Sequence, residues 1–275
     1  MKTLYISDLD GTLLSNDGLP SKFTVETINK LSEEGLWFTF ATARSVSSAT
    51  KILNSLKPKL PAVMMNGVFI TDVATKEQLY TCYMEDEAAK EVIEVFERNG
   101  HPPIVYTYNK YIDAQYREAK SDFEKNFIAE RVKLYHSFLQ VQDYNLQDGV
   151  VYINCIDKKE VTDRISAELE KIEGIKFSHY LDVYSKDKYF VEVYSDKAGK
   201  KNTVLKLKEM FGFEKIVAFG DNANDIEMLQ IADVAVAVGN AREELKQIAD
   251  FVVDTNDNDG VAKYLIENFK GEVSI

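Results

Sequence analysis

The chain has 275 residues, 45% apolar and 28% charged, with 33 basic against 45 acidic side chains and a formal net charge of −12. That balance belongs to a folded globular protein of one large or two ordinary domains, and the acidic surplus excludes a nucleic-acid face, which needs clustered lysine and arginine. No run approaches the ~18 apolar residues of a membrane helix, and the opening MKTLYISDLDG is too briefly apolar for a signal peptide. A cytoplasmic protein with neither nucleic acid nor membrane as partner is the expectation. Cys82 and Cys155, both in strand-like runs, give no disulfide framework and are expected as buried free thiols.

In chain order, TLYISDL predicts a short apolar strand, and KFTVETINKLSEEG an amphipathic helix with Val25, Ile28 and Leu31 on one face and Gly35 as its stop. LWFTFAT (36–42) is apolar on both faces, as a covered parallel strand would be. SVSSATKILNSLK is a helix closed by Pro58, and PAVMMNG a third strand. Strand and helix alternate as in right-handed βαβ units, which implies a mostly parallel sheet. VFITDVATKEQLYTCYM reads as a hairpin at the edge of that sheet.

The style changes after Met84. EDEAAKEVIEVFERNG predicts a helix with Ala89, Val92, Ile93 and Phe96 inward, and PPIVYTYNKYIDAQYR a hairpin turning at Asn109-Lys110. KSDFEKNFIAERV is helical, and the tyrosine- and glutamine-rich stretch behind it has no clear period. VVYINCID (150–157) is a strand, KEVTDRISAELEKIEG a helix, and IKFSHYLDVYSKDKYFVEVYS two more strands. This reads as an α+β module inserted into the first fold. From Ala198 the parallel style returns with a helix (GKKNTVLKLKEMFG), a strand (KIVAFGD), a helix (NDIEMLQIA), a strand (DVAVAVG), a helix (AREELKQIAD), a short strand (DFVVD) and a last helix (DGVAKYLIENF).

Four stretches carry chemistry. Asp8 and Asp10 end the first strand, where open α/β sheets place their sites, and a period of two lets both carboxylates share a face. Isolated carboxylates are expensive to remove from water, so the pair either lies on a solvated loop or meets a cation. FGDNANDIEML ends a second strand with Asp221, followed by Asn224 and Asp225. Beside Asp8 these acids would complete an oxygen-rich pocket suited to Mg²⁺; alternatively Asn224 or an acid simply caps the next helix. In FATARS, the Thr42 hydroxyl, Arg44 and the turn's backbone N–H groups can bind a phosphate oxygen. KAGKKN sets Lys197, Lys200 and Lys201 at a helix start, against the macrodipole, although a lysine run is also the usual form of a solvated face. His101, His136 and His179 have no ligand spacing and read as core or surface residues.

In that order, DLDGTLL, ATAR, a helix-starting lysine and GDNAND-IEML resemble the haloacid-dehalogenase-like superfamily, and MNGV (65–68), VEVYSDKAGKKNTVLKLKEMFG and TNDNDGVAKYL resemble its Cof-type sugar-phosphatase subfamily. The resemblance covers both outer segments; the middle one matches in position, size and style. It implies an α/β fold with a Rossmann-like doubly wound parallel-sheet core (1–83 and 191–275) and an inserted α+β cap domain (84–190) that sets specificity and excludes water. It implies a Mg²⁺-dependent phosphomonoesterase acting on a small phosphorylated metabolite such as a sugar phosphate. Asp8 would be the nucleophile and Asp10 the acid/base. Thr42 would bind phosphate with the Ala43 and Arg44 turn, and Lys200, from its distance to Gly212, would steady the phosphoryl charge. Asp8, the Asp10 carbonyl and Asp221 would hold the metal, with Asp225 as a ligand or a support. Asn224 would touch the phosphate or hold Lys200, and Asn66 and Gly67 match a substrate-facing turn, although a plain strand-end turn fits them equally. Ala43 stands where the family has glycine and Ala223 where it often has an acid or aromatic residue, which predicts an altered loop shape. A phosphosugar mutase and a non-catalytic phospho-ligand sensor are the alternatives.

Overall fold

The computed structural model describes residues 2–133, 137–181 and 187–269; His136 lies outside the described residues. Its first elements are β1 (Thr3–Ser7), α1 (Lys22–Glu33), β2 (Phe38–Phe40), α2 (Val46–Leu53), β3 (Ala62–Met64), β4 (Phe69–Thr71) and β5 (Gln78–Thr81). There follow α3 (Asp86–Arg98), β6 (Ile104–Asn109), β7 (Tyr111–Tyr116), α4 (Asp122–Arg131), β8 (Ser137–Gln140), β9 (Val150–Lys158), α5 (Lys159–Leu169), β10 (Ile175–Leu181) and β11 (Lys188–Ser195). The chain closes with α6 (Lys200–Phe211), β12 (Lys215–Gly220), α7 (Ile226–Gln230), β13 (Val234–Ala237), α8 (Glu243–Ile248), β14 (Phe251–Val252) and α9 (Gly260–Asn268). It divides into one compact unit of Met1–Tyr80 with Gly199–Ile275 and a second of Thr81–Ala198.

The first unit is an α/β fold. Its sheet runs β14-β13-β12-β1-β2, every neighbouring pair parallel, with Ile6 in register with Ala218 on one side and Thr39 on the other. Leu4, Ile6, Phe40, Ala218 and Phe219 are fully buried, as strands covered on both faces require. Ser21 caps α1 by accepting from the Thr24 N–H at 3.0 Å. The helix turns Thr24, Thr27, Ile28, Leu31 and Ser32 inward and leaves Val25 half-buried. This differs from the apolar face read in sequence because the Thr24 hydroxyl donates to Asp259 Oδ1 at 2.8 Å, at the start of α9. β3 also differs from expectation. It meets the parallel sheet through one bridge, Ala41 to Val63, and pairs antiparallel with β4 in a separate sheet β3-β4-β5. Met65 and Asn66 have φ of 51° and 52° and turn the chain back at once.

The second unit is an α+β sheet of order β10-β11-β9-β6-β7-β8, antiparallel except for the β7 and β8 pair. Val92 and Phe96 of α3 with Ile165 and Leu169 of α5 pack on Val105, Ile153, Cys155, Val191 and Val193 of the sheet. β8 lies in the stretch whose pattern had no clear period. Cys82 and Cys155 are buried free thiols. His101 is buried beside Glu124 and Asp157, and the His179 ring lies 2.9 Å from the Thr162 hydroxyl. Among the described residues no helix is long and apolar enough to cross a membrane. Phe96 is fully buried; Phe96→Ala should cost about 3–5 kcal/mol, read as a lower urea midpoint at unchanged slope.

Candidate active site

Asp8 follows β1, and its N–H donates to the Phe219 carbonyl at 3.0 Å, so it stands beside the end of β12. The carboxylate is buried, and Lys200 Nζ donates to its Oδ1 at 2.5 Å. The same ammonium donates to Asp225 Oδ1 at 2.6 Å. Lys200 is thus the buried member of its lysine run. Lys197 is exposed, pairing with Glu85, and Lys201 is half-buried. Burial works against the Lys200 charge, but Asp225 and then Asp8 outweigh it and hold the ammonium well above the usual lysine range.

Asp225 spends both oxygens: Oδ1 on Lys200, and Oδ2 on the N–H groups of Asp221 (3.2 Å) and Asn222 (3.1 Å). An acid does stand at the N-cap position of α7, Asp225, but its side chain makes no cap bond there; the side-chain cap belongs to the single 3-10 turn 223–225 that leads into the helix. Asn222, not Asn224, accepts from the Ala223 N–H and forms a capping box with Asp225, while Asn224 is exposed on the turn. The Lys200 ammonium is held by Asp8 and Asp225. The N-x-x-D spacing from Asn222 to Asp225 was the available signal.

Asp221 accepts from the Thr12 hydroxyl at 2.8 Å. Its carboxylate also presses on Gly11, where a Cβ would lie 2.5 Å from Asp221 Oδ2 and where φ is +80°. Only glycine fits that turn after D-x-D. Asn240, which the sequence reading missed, donates to the Gly11 carbonyl at 2.7 Å and fixes the same loop. Burial pushes the Asp221 carboxyl up to about 6, with Thr12 opposing and Asp225 adding. Burial likewise drives Asp8 well above the carboxylate range, with Lys200 opposing.

Asp8, Asp221 and Asp225 each bring an oxygen within 4.8 Å of the others. Three acids share this corner with one lysine and form a largely buried, all-oxygen donor set. Such a set fits a hard divalent cation. The Asp10 side chain stands apart from this group: it is half-exposed, and Arg44 grips it through Nε to Oδ2 at 2.7 Å and Nη2 to Oδ1 at 2.5 Å.

Thr42 is fully buried after β2, and its hydroxyl accepts from the Arg44 N–H at 3.0 Å, while Ala43 is exposed at the tip of the turn. The Asn66 N–H donates to the Thr42 carbonyl at 3.1 Å, and Asn66 Oδ1 is buried with no hydrogen-bond partner among the described residues. Gly67, at φ +89°, lies against the start of α6, where an added Cβ would come 2.5 Å from the Gly199 carbonyl oxygen. Thr203 of α6 donates to the Gly67 carbonyl at 2.6 Å. The 65–67 turn therefore couples Thr42 to the helix that carries Lys200.

A family model described as haloacid dehalogenase-like hydrolase matches residues 5–265. The chain belongs to that family. Its Cof-type character, read from the motifs, stands with it. The 5-amino-6-(5-phospho-D-ribitylamino)uracil phosphatase YitU of Bacillus subtilis is 26% identical over 271 residues, covering 97% of each chain. A relative in Haemophilus influenzae, named as a phosphatase, is 30% identical over 274 residues, covering 98% of this chain and 99% of that one. A haloacid dehalogenase-like hydrolase from Bacteroides thetaiotaomicron shares the fold at a TM-score of 0.78 and 24% identity, covering 98% of this chain and 100% of that chain. This hydrolase is thus a phosphatase of the haloacid dehalogenase type.

Gly67→Ala should cost at least about 2 kcal/mol, since it combines a strained φ with a backbone clash. Urea denaturation reads the loss.

Proposed function

We propose that the protein is a Mg²⁺-dependent phosphomonoesterase that works through an aspartyl-phosphate on Asp8. The observation that carries this reading is the Lys200 ammonium lying on Asp8 with two further carboxylates, Asp221 and Asp225, beside it. A carboxylate attacking a phosphate ester must overcome repulsion between anions, and phosphoryl transfer is mostly positioning and charge stabilisation. Lys200 holds one oxygen of Asp8, and the other is assigned the attack on phosphorus. Asp10 gives its proton to the leaving alcohol oxygen as the P–O ester bond breaks. In the second half-reaction Asp10 takes a proton from the attacking water as the Asp8–phosphorus bond breaks. Thr42, the 43–44 turn and the exposed Asn224 are assigned to the phosphate oxygens.

Asp8, Asp221 and the Asp10 backbone carbonyl would hold Mg²⁺, which when bound supplies positive charge against the phosphoryl oxygens. Asp225 is assigned to positioning, since Lys200 and two backbone amides use both its oxygens. Asn66 and Gly67 are assigned to the substrate side of the site, and the inserted unit to reading the leaving group. A sugar phosphate or similar small phosphorylated metabolite is the proposed substrate class. The Bacillus relative's name gives it a substrate with a phosphorylated ribityl chain, which supports that class.

Asp8→Asn should lower kcat at least about 10³-fold. Acid-quenched wild-type enzyme should carry phosphate on Asp8 by mass spectrometry, with free phosphate as the product; retained activity in the variant would overturn the mechanism. Removal of Mg²⁺ should abolish turnover.

Proton linkage gives a second expectation. With the folded-state value of Asp221 raised, its contribution to stability is present below the ordinary carboxylate range and is lost as pH rises through about 6. The metal-free protein should therefore gain little from Mg²⁺ at about pH 5 and much more at about pH 8, where protons no longer compete. Thermal melts at both values, with and without Mg²⁺, measure the difference.

A further inference from the structure

From sequence, Arg44 belongs with the phosphate; in the structure its guanidinium lies on Asp10. Two parallel bonds, Nε to Oδ2 at 2.7 Å and Nη2 to Oδ1 at 2.5 Å, fix the carboxylate plane against the guanidinium plane. The arginine springs from a fixed turn: its N–H donates to the Thr42 hydroxyl at 3.0 Å, and its carbonyl accepts from the Met65 N–H at 3.1 Å. Gly18 backs the guanidinium, since a Cβ there would lie 3.7 Å from Nη2. Asp10 is held on its own side by a backbone bridge to Leu14. The two side chains are 27% and 53% exposed, and pairs so exposed contribute little to stability. Orientation is what a two-point fork from a rigid turn supplies.

We infer that Arg44 is the positioning residue for Asp10, resting on the acid/base assignment made above. The fork holds the carboxyl group in the orientation from which it passes a proton to the leaving oxygen. Rotated away, the group misses that oxygen, while Asp8 and Lys200 still meet the phosphorus. Lysine cannot substitute, because a point charge does not set a plane.

Leaving groups separate this role from phosphate binding. An alkoxide needs a proton to depart, whereas p-nitrophenolate leaves without one. Arg44→Met should lower kcat/KM for β-glycerophosphate about tenfold to a hundredfold, and for p-nitrophenyl phosphate by less than about threefold. Arg44→Lys should behave nearly as Arg44→Met. Asp10→Asn should show the same selectivity, and the double variant should fall no further than Asp10→Asn alone. Equal losses on both substrates, or a raised KM on both at constant kcat, would place Arg44 on the phosphate and overturn the inference. So would losses that multiply in the double variant. An Asp10→Asn enzyme without leaving-group selectivity would remove the acid/base assignment itself, and the inference with it.

Discussion

The carboxyl end of the central sheet depends on one buried ammonium. Lys200 lies between Asp8 and Asp225, and all three groups are out of water. Removing any partner would strand a buried charge, which costs far more than an exposed pair contributes. The ammonium also opposes the amino-terminal dipole of its own helix, so only the two acids explain its position. Through Asp225 the same contact reaches the amides of the 221–222 turn, and so places Asp221.

Asp8 and Asp10 are separated by one residue yet meet opposite environments. Asp8 is buried against a lysine; Asp10 is half-exposed and forked by an arginine. Two carboxylates kept in different surroundings can take different chemical roles, and environment rather than residue type decides which. Both residues lie in the turn just past the end of β1, so the shared face that a strand period would give them is not what sets their orientation. Burial and the choice of cation then made them unequal.

Much of this was legible in the chain. The βαβ alternation and the doubly apolar runs specify a parallel sheet, because period and burial are local properties. The strand-end acids are legible for the same reason. What was not legible depends on contacts between distant segments. Val25 yields its place on the helix face to Thr24 because Asp259, far along the chain, accepts its hydroxyl. β3 pairs back on β4 because two residues at positive φ reverse the chain behind it. Asn222 caps the turn before α7 through a spacing that was visible, whereas no local pattern reveals that Arg44 reaches Asp10.

The bond between Lys200 and Asp8 spans 192 positions of sequence. The first strand is synthesised early, but Asp8 just past its end has no compensating lysine until the whole second unit and the start of α6 have been made. Contacts of such separation form slowly, since a long loop must close before they stabilise anything. During synthesis the carboxylate of Asp8 must therefore stay hydrated, and the end of β1 must stay open. The order of residues along the chain makes this buried ion cluster one of the last parts of the core to close.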